Sequence, residues 1–321
     1  MRHPKALSFS SLRLFEKNPE EFYLRYLADT PVPRPEQTKA MSIGSGFDAL
    51  VKSELYYRAF GNDDGGEFSY DSLFEIQVDR ANRDWCREES RYVFNAYRLS
   101  VAYADLCDLL DRSTSAPRFE IEVSGQIAGV PVRGFPDFTM SPDDTHVIGD
   151  WKCRGYVSKY SQSPTKGYSI VRDGWDHEPN SRSHGTTHKL FRQDASIPIP
   201  CGTIPMEDCD PKYADQLSIY HLLSLPHDSL VVGFIDELCC KPSQPRPLIR
   251  VAQLRGRVSE YYRDRLVDRL TACWNACQSG YVFWRLSRED NDMRCRALEK
   301  AATSLQFESS EFDEITRPTI W

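Results

Sequence analysis

The 321-residue chain contains no run of about 18 apolar residues, so no segment is fit to cross a bilayer as a helix. Its opening, MRHPKALSFSS, lacks the apolar core of a secretory signal. The expectation is therefore a soluble chain kept in a reducing cytoplasm, with its ten cysteines as thiols rather than disulfides. An excess of positive charge is also missing: the formal net charge is −7, which argues against phosphate contacts over the whole surface. Neither an internal repeat nor a clean domain boundary interrupts the chain, and 40 % hydrophobic residues suffice for one large core or two small ones.

What is there is unevenly placed. Residues 151–192 carry eight Lys/Arg against three Asp/Glu, and residues 241–269 repeat that ratio. Two basic stretches on an acidic protein can steer a polyanion to one place; each is equally well read as an ordinary solvated helix or loop face. SFSSLRLFEKNPEEFYLRYL (8–27) has Leu12, Phe15, Phe22 and Tyr26 at helical spacing, serines fit to cap its start and a bend at Pro19. MSIGSGFDALVKSELYYRAF (41–60) reads as the next helix, and residues 70–110 as further amphipathic helices.

The period then becomes two. RFEIEVSGQIAGVPVRGFPDFTM and HVIGDWKC predict a run of antiparallel strands. Residues 155–210 show no clear period and read as a long insertion. KYADQLSIYHLLSL is a helix, SLVVGFIDELCC and PLIRVAQLRG are strands, and residues 257–280 are a long helix stopped near Gly280.

Chemistry concentrates in VIGDWKCRG (147–155). Residues two apart on a strand share a face, so Asp150 and Lys152 project together while Trp151 and Cys153 face the other way. GFPDF delivers Asp137 from the preceding strand, and a strand–turn–strand of that length brings it beside Asp150. Two neighbouring carboxylates suit a hard divalent cation, Mg²⁺ being the natural candidate, and a lysine beside it can orient water and balance charge on a phosphoryl oxygen. On spacing alone, a buried Asp–Lys pair with Asp137 capping a turn explains the same residues.

GFPDF followed by VIGDWKCRG resembles the PD-(D/E)xK motif of restriction-endonuclease-like nucleases, with Asp137, Asp150 and Lys152 at its three positions. Three further stretches narrow the resemblance to the RecB-like exonuclease branch. YADQLSIY resembles its Q-x-x-x-Y motif, with Gln216 and Tyr220 on one helical face, although an ordinary amphipathic helix shows the same spacing. LSFSSLRLFEKNPEEFYLRYL resembles its opening element, which plain helix packing would also explain. GSGFDALV resembles its G-x-x-x-H helix with Asp48 in place of the histidine, an oxygen ligand for Mg²⁺ directly or through water, or else a helix-surface or capping residue.

The resemblance implies a mixed central β-sheet flanked by helices, with a long insertion after the catalytic strand. It implies a single domain over 1–321: a helical part (1–112), catalytic strands (113–155), the insertion (156–210), a helix–strand–strand–helix unit (211–285) and a polar tail (286–321). It also implies a Mg²⁺-dependent DNA exonuclease, with Mn²⁺ as substitute, in which Asp137, Asp150, the Trp151 carbonyl and Asp48 hold the metal. Lys152 would orient the attacking water, and Gln216 and Tyr220 would position the scissile strand or the water. A structure-specific or nicking endonuclease and a non-cleaving DNA-binding or assembly subunit are the competing readings.

Some relatives work beside a strand-annealing protein or a helicase. Others hold an iron–sulfur cluster, but Asn18-Pro19 stands here where those have Cys-Pro, and Cys273, Cys277 and Cys295 lack the close late spacing, so no cluster is expected. Within the insertion, His177, His184, His188, Cys201 and Cys209 form a weak zinc set on a segment ill suited to a helix. The preferred expectation is that Lys159, Lys166, Arg172, Arg182, Lys189 and Arg192 contact DNA phosphates, with Tyr160, Tyr168 and Trp175 stacking on unpaired bases.

Overall fold

Ser8 starts the first helix as the serine-rich opening suggests. In the computed structural model, which describes residues 2–32, 35–61, 66–143, 145–155, 169–172, 175–177, 206–209, 211–225, 231–240, 249–257 and 259–279, the Ser8 hydroxyl accepts from Ser11 N–H while Ser11 Oγ accepts from Ser8 N–H. This capping box opens α1 (Phe9–Lys17). Asn18 then caps α2 (Pro19–Phe22), with Pro19 in the first turn where its missing N–H costs nothing, and a wide turn over Tyr23–Leu27 completes the expected bend. Thr38 caps the 22-residue α3 (Lys39–Phe60), which is followed by α4 (Tyr70–Gln77), α5 (Arg83–Arg98) and α6 (Val101–Asp111).

The strands come next: β1 (Arg118–Phe119), β2 (Val123–Ile127), β3 (Val130–Gly134), β4 (Phe138–Met140) and β5 (His146–Gly155). They do not form the single antiparallel run expected. β2 and β3 pair only with each other, closed by Ala128 and Gly129 at φ +48° and +80°, the left-handed pair of a tight hairpin. Gly134-Phe135-Pro136 interrupts the ladder between β3 and β4, because proline offers no N–H to a sheet.

Inside the insertion lie β6 (Ser169–Arg172), β7 (Trp175–His177) and the single turn α7 (Met206–Cys209). Strands of four and three residues are too short to show an alternating pattern, which is why the period was unreadable there. The chain continues through α8 (Pro211–Ser224), β8 (Val231–Cys240), β9 (Ile249–Arg257) and α9 (Glu260–Ser279). The tail from 286 lies outside the described residues.

The central sheet runs β1-β4-β5-β8-β9, and the β6–β7 hairpin extends it to seven strands. β4 and β5 are antiparallel, β5 and β8 parallel, β8 and β9 antiparallel. The parallel step requires a crossover, and α8 serves as its covering helix. One face of the sheet (Ile148, Ile235, Leu254) packs with Leu217 of α8, Leu12 of α1 and Leu266 of α9. The other (Val147, Trp151, Cys153, Phe234, Leu238) packs with Phe47 of α3, Tyr97 of α5 and Leu106 of α6. The sheet is thus covered on both sides, a mixed α/β arrangement consistent with a restriction-endonuclease-like fold. Among the described residues no helix is long and apolar enough to cross a membrane.

Gly149, one residue before Asp150, is set by close approach. A β-carbon there would lie 1.9 Å from Phe138 Cζ. The Phe138 ring cannot retreat, being flanked by Trp151 at 4.8 Å and Phe234 at 5.5 Å between centroids. Gly149→Ala is expected to cost about 1–3 kcal/mol through overpacking; urea unfolding should show a lowered midpoint with an unchanged slope.

Candidate active site

The β4–β5 ladder sets the spacing of the central acids. Phe138 faces Gly149 in that register, so Asp137, the residue just before β4, comes opposite Asp150. Asp137 therefore stands in the β3–β4 connection rather than inside the preceding strand. Its Oδ2 accepts from the Trp151 N–H at 2.8 Å, which fixes the carboxylate against the Asp150–Trp151 peptide. Lys152 Nζ reaches Asp150 Oδ1 at 3.0 Å, as their shared strand face requires. Both aspartates are 0 % exposed and Lys152 8 %. Charges so deeply buried persist only when paired and hydrogen-bonded.

Helix α8 completes this side. Gln216 Nε2 donates to Asp150 Oδ2 at 2.6 Å and to Tyr220 OH at 2.8 Å, and Tyr220 OH donates to the Phe135 carbonyl at 3.0 Å. The Tyr220 ring fits against the end of β3 because Gly134 has no side chain: a β-carbon there would be 2.4 Å from the ring. Gln216 Oε1 is buried and has no hydrogen-bond partner among the described residues.

Three neighbours escaped the sequence reading. Lys52, one helical turn beyond Asp48, is fully buried; its ammonium pairs with Asp48 Oδ2 and Glu120 Oε1 and stands 3.3 Å from Asp137 Oδ1. Glu120 sits between β1 and β2 at φ +45°, a left-handed conformation that a non-glycine residue adopts only under local constraint. Its N–H donates to the Asp137 carbonyl at 3.1 Å and its Oε1 accepts from Gln77 Nε2 at 3.4 Å. Glu237 of β8 lies beside Lys152 in the parallel register and is buried. The i, i+4 spacing of Asp48 and Lys52 could have flagged the lysine. Nothing in the local pattern announces Glu120, whose direction depends on an unusual backbone angle.

The opposite face of β5 is anchored by a second buried polar group. Trp151 Nε1 donates to Tyr97 OH at 3.3 Å, Tyr97 OH donates to Asp236 Oδ2, and Arg255 Nη2 donates to Asp236 Oδ1 at 2.9 Å. Burial holds the Asp236 carboxyl above the usual carboxylate range, against the lowering pull of Arg255 and of both hydrogen bonds. Burial, then the Asp236 charge, pushes the Tyr97 phenol well above its ordinary value. This group pins the Trp151 ring, and with it the N–H that orients Asp137.

The donor set fits a hard divalent cation. One oxygen each from Asp48, Glu120 and Asp137 lie within 4.8 Å of one another, with the Lys52 ammonium against all three, and Asp150, Glu237 and Gln216 add further oxygen acceptors. Of the residues expected to act together, Asp137, Asp150, Lys152, Gln216 and Tyr220 converge, and Asp48 joins them through Lys52. Lys159, Lys166, Arg182, Lys189 and Arg192 lie outside the described residues, as do His184, His188 and Cys201. Arg172 ends β6, with β8 and β9 between that strand and β5.

A family model described as the PD-(D/E)XK nuclease superfamily matches residues 6–169, just over half of the chain. That span includes Asp48, Lys52, Glu120, Asp137, Asp150 and Lys152; Gln216 and Tyr220 lie beyond it. No curated protein matches the chain.

Arg255→Met would leave Asp236 buried without its cation and is expected to cost about 3–5 kcal/mol at neutral pH. Asp236 binds its proton more tightly folded than unfolded, so its ionisation erodes stability as pH rises above the ordinary carboxylate range. The deficit of Arg255→Met should accordingly shrink in acid, and adding Asp236→Leu should recover most of it; urea unfolding at several pH values measures both.

Proposed function

The chain belongs to the PD-(D/E)XK nuclease superfamily, and from that premise we propose that it is a Mg²⁺-dependent DNA exonuclease of the RecB-like branch. Family membership and the acidic cluster support a metal-dependent nuclease. The finer reading rests on one observation: Gln216, from the Q-x-x-x-Y stretch of α8, is hydrogen-bonded at 2.6 Å to Asp150 of the PD-(D/E)xK strand. Two residues 66 apart, one in a stretch that resembles the superfamily motif and one in a stretch that resembles a motif of the RecB-like branch, thus meet at a single carboxylate.

Asp137, Asp150, the Trp151 carbonyl and Asp48 are the residues that would hold Mg²⁺, or Mn²⁺ in its place. When bound, the cation supplies a Lewis acid and lowers the pKa of water toward neutrality. Lys152 orients the attacking water and balances charge gathering on the phosphoryl oxygens, since phosphoryl transfer depends mainly on positioning and electrostatics. Asp150 keeps the Lys152 ammonium in place at 3.0 Å. Gln216 fixes the other oxygen of Asp150, and Tyr220 holds Gln216, so the two α8 residues set the direction of that carboxylate and of the DNA strand laid against it. The basic residues Lys159, Lys166, Arg172, Arg182, Lys189 and Arg192 supply phosphate contacts for the incoming strand.

End-labelled linear DNA should be degraded with Mg²⁺ and spared with EDTA, while closed circular DNA stays intact because an exonuclease needs an end. Lys152→Ala and Asp150→Ala, folded by circular dichroism, should each lower the rate by about 10²–10⁴-fold. Cutting of circles would replace the exonuclease reading with an endonuclease, and no cleavage of any substrate would favour a DNA-binding subunit.

A further inference from the structure

Lys52 is the most deeply buried cation of the site, and its role is not that of the catalytic lysine on β5. Its ammonium has three N–H donors and faces three carboxylates, those of Asp48, Glu120 and Asp137. The side chain is 0 % exposed, so the stem cannot carry the charge out to water in the way surface lysines do. Expelling the ammonium would require either repacking α3 or leaving a buried charge unpaired, and both are costly.

The cage around it is built as firmly as the lysine. Asp48 lies one turn away on the same helix. Glu120 is held at φ +45° with its N–H on the Asp137 carbonyl, an arrangement that aims its carboxylate at Lys52. Asp137 belongs to both halves: Oδ1 faces Lys52, and Oδ2 faces the Trp151 N–H beside Asp150.

We infer that Lys52 is a built-in cation that occupies the Asp48–Glu120–Asp137 cage, so that the chain takes a single divalent metal ion, on the Asp150 side of Asp137. This deepens the nuclease reading and rests on it. It narrows the metal set proposed above: Asp48 acts by holding Lys52 and not as a direct ligand. Lys52 is thus a positioning residue that sets where the metal sits and how many are bound.

Metal binding without DNA tests this apart from cleavage. Mn²⁺ titrated into the full chain by calorimetry should saturate at one ion per chain, and Lys52→Met, with its cage vacated, at two. Glu120→Gln should weaken Mn²⁺ binding by less than about tenfold, the Coulomb effect of one charge removed near the ion. A loss of roughly a hundredfold or more would make Glu120 a metal ligand and overturn the inference. Two ions in the wild type, or one in Lys52→Met, would overturn it too. Should Lys52→Met not fold, the Glu120→Gln affinity and the wild-type stoichiometry decide between them. No Mn²⁺ binding by the wild type would overturn the metal-dependent nuclease reading itself, and this inference with it.

Discussion

The hydrogen bond from Trp151 N–H to Asp137 Oδ2 joins the parts of the site that come from different regions of the chain. Asp137 lies at the end of a proline-containing connection that would otherwise leave its carboxylate free to swing. Bound to the β5 backbone, it faces Asp150 on one side and the Lys52 cage on the other. Everything that fixes β5 therefore fixes the site: the parallel pairing with β8, the antiparallel pairing with β4, and the Tyr97–Asp236–Arg255 group behind Trp151.

Four acids and two lysines packed this closely would destabilise a protein if any were left alone. Three of the acids are instead shared. Asp150 is divided between Lys152 and Gln216, Asp137 between Lys52 and a backbone N–H, and Glu120 between Lys52 and Gln77. Shared partners make these interactions non-additive, because removing Lys52, Asp137 or Asp150 takes a partner from two or more groups at once.

The two faces of β5 divide the work. One carries Asp150 and Lys152 toward α8, where Gln216 and Tyr220 meet them; the other carries Trp151 and Cys153 into an apolar layer with α3, α5 and α6. Helix α3 serves both, packing Phe47 and Val51 into that layer while Asp48 and Lys52 reach Asp137 around the strand end. A helix with apolar and charged residues so interleaved is buried on most of its circumference, unlike a surface helix with one apolar stripe.

The fold was legible wherever a period persisted. The Ser8 cap, the Pro19 bend, the helices from 39 to 111 and the strand that carries Asp150 follow from local preferences, and the spacing of Asp150 and Lys152 places them on one face whatever surrounds the strand. The separation of β2–β3 from the main sheet and the strands β6 and β7 were not legible, since a proline break and strands of four and three residues carry no usable pattern. Among the candidate site residues, Asp137, Asp150, Lys152, Gln216 and Tyr220 are legible in the sequence through their resemblance to family motifs, since spacing alone fits a buried ion pair or an ordinary amphipathic helix equally well. Their meeting, and the recruitment of Lys52 and Glu120, was decided only by tertiary structure: it depends on which strands pair and on a single positive backbone angle, and neither is encoded in the order of neighbouring residues.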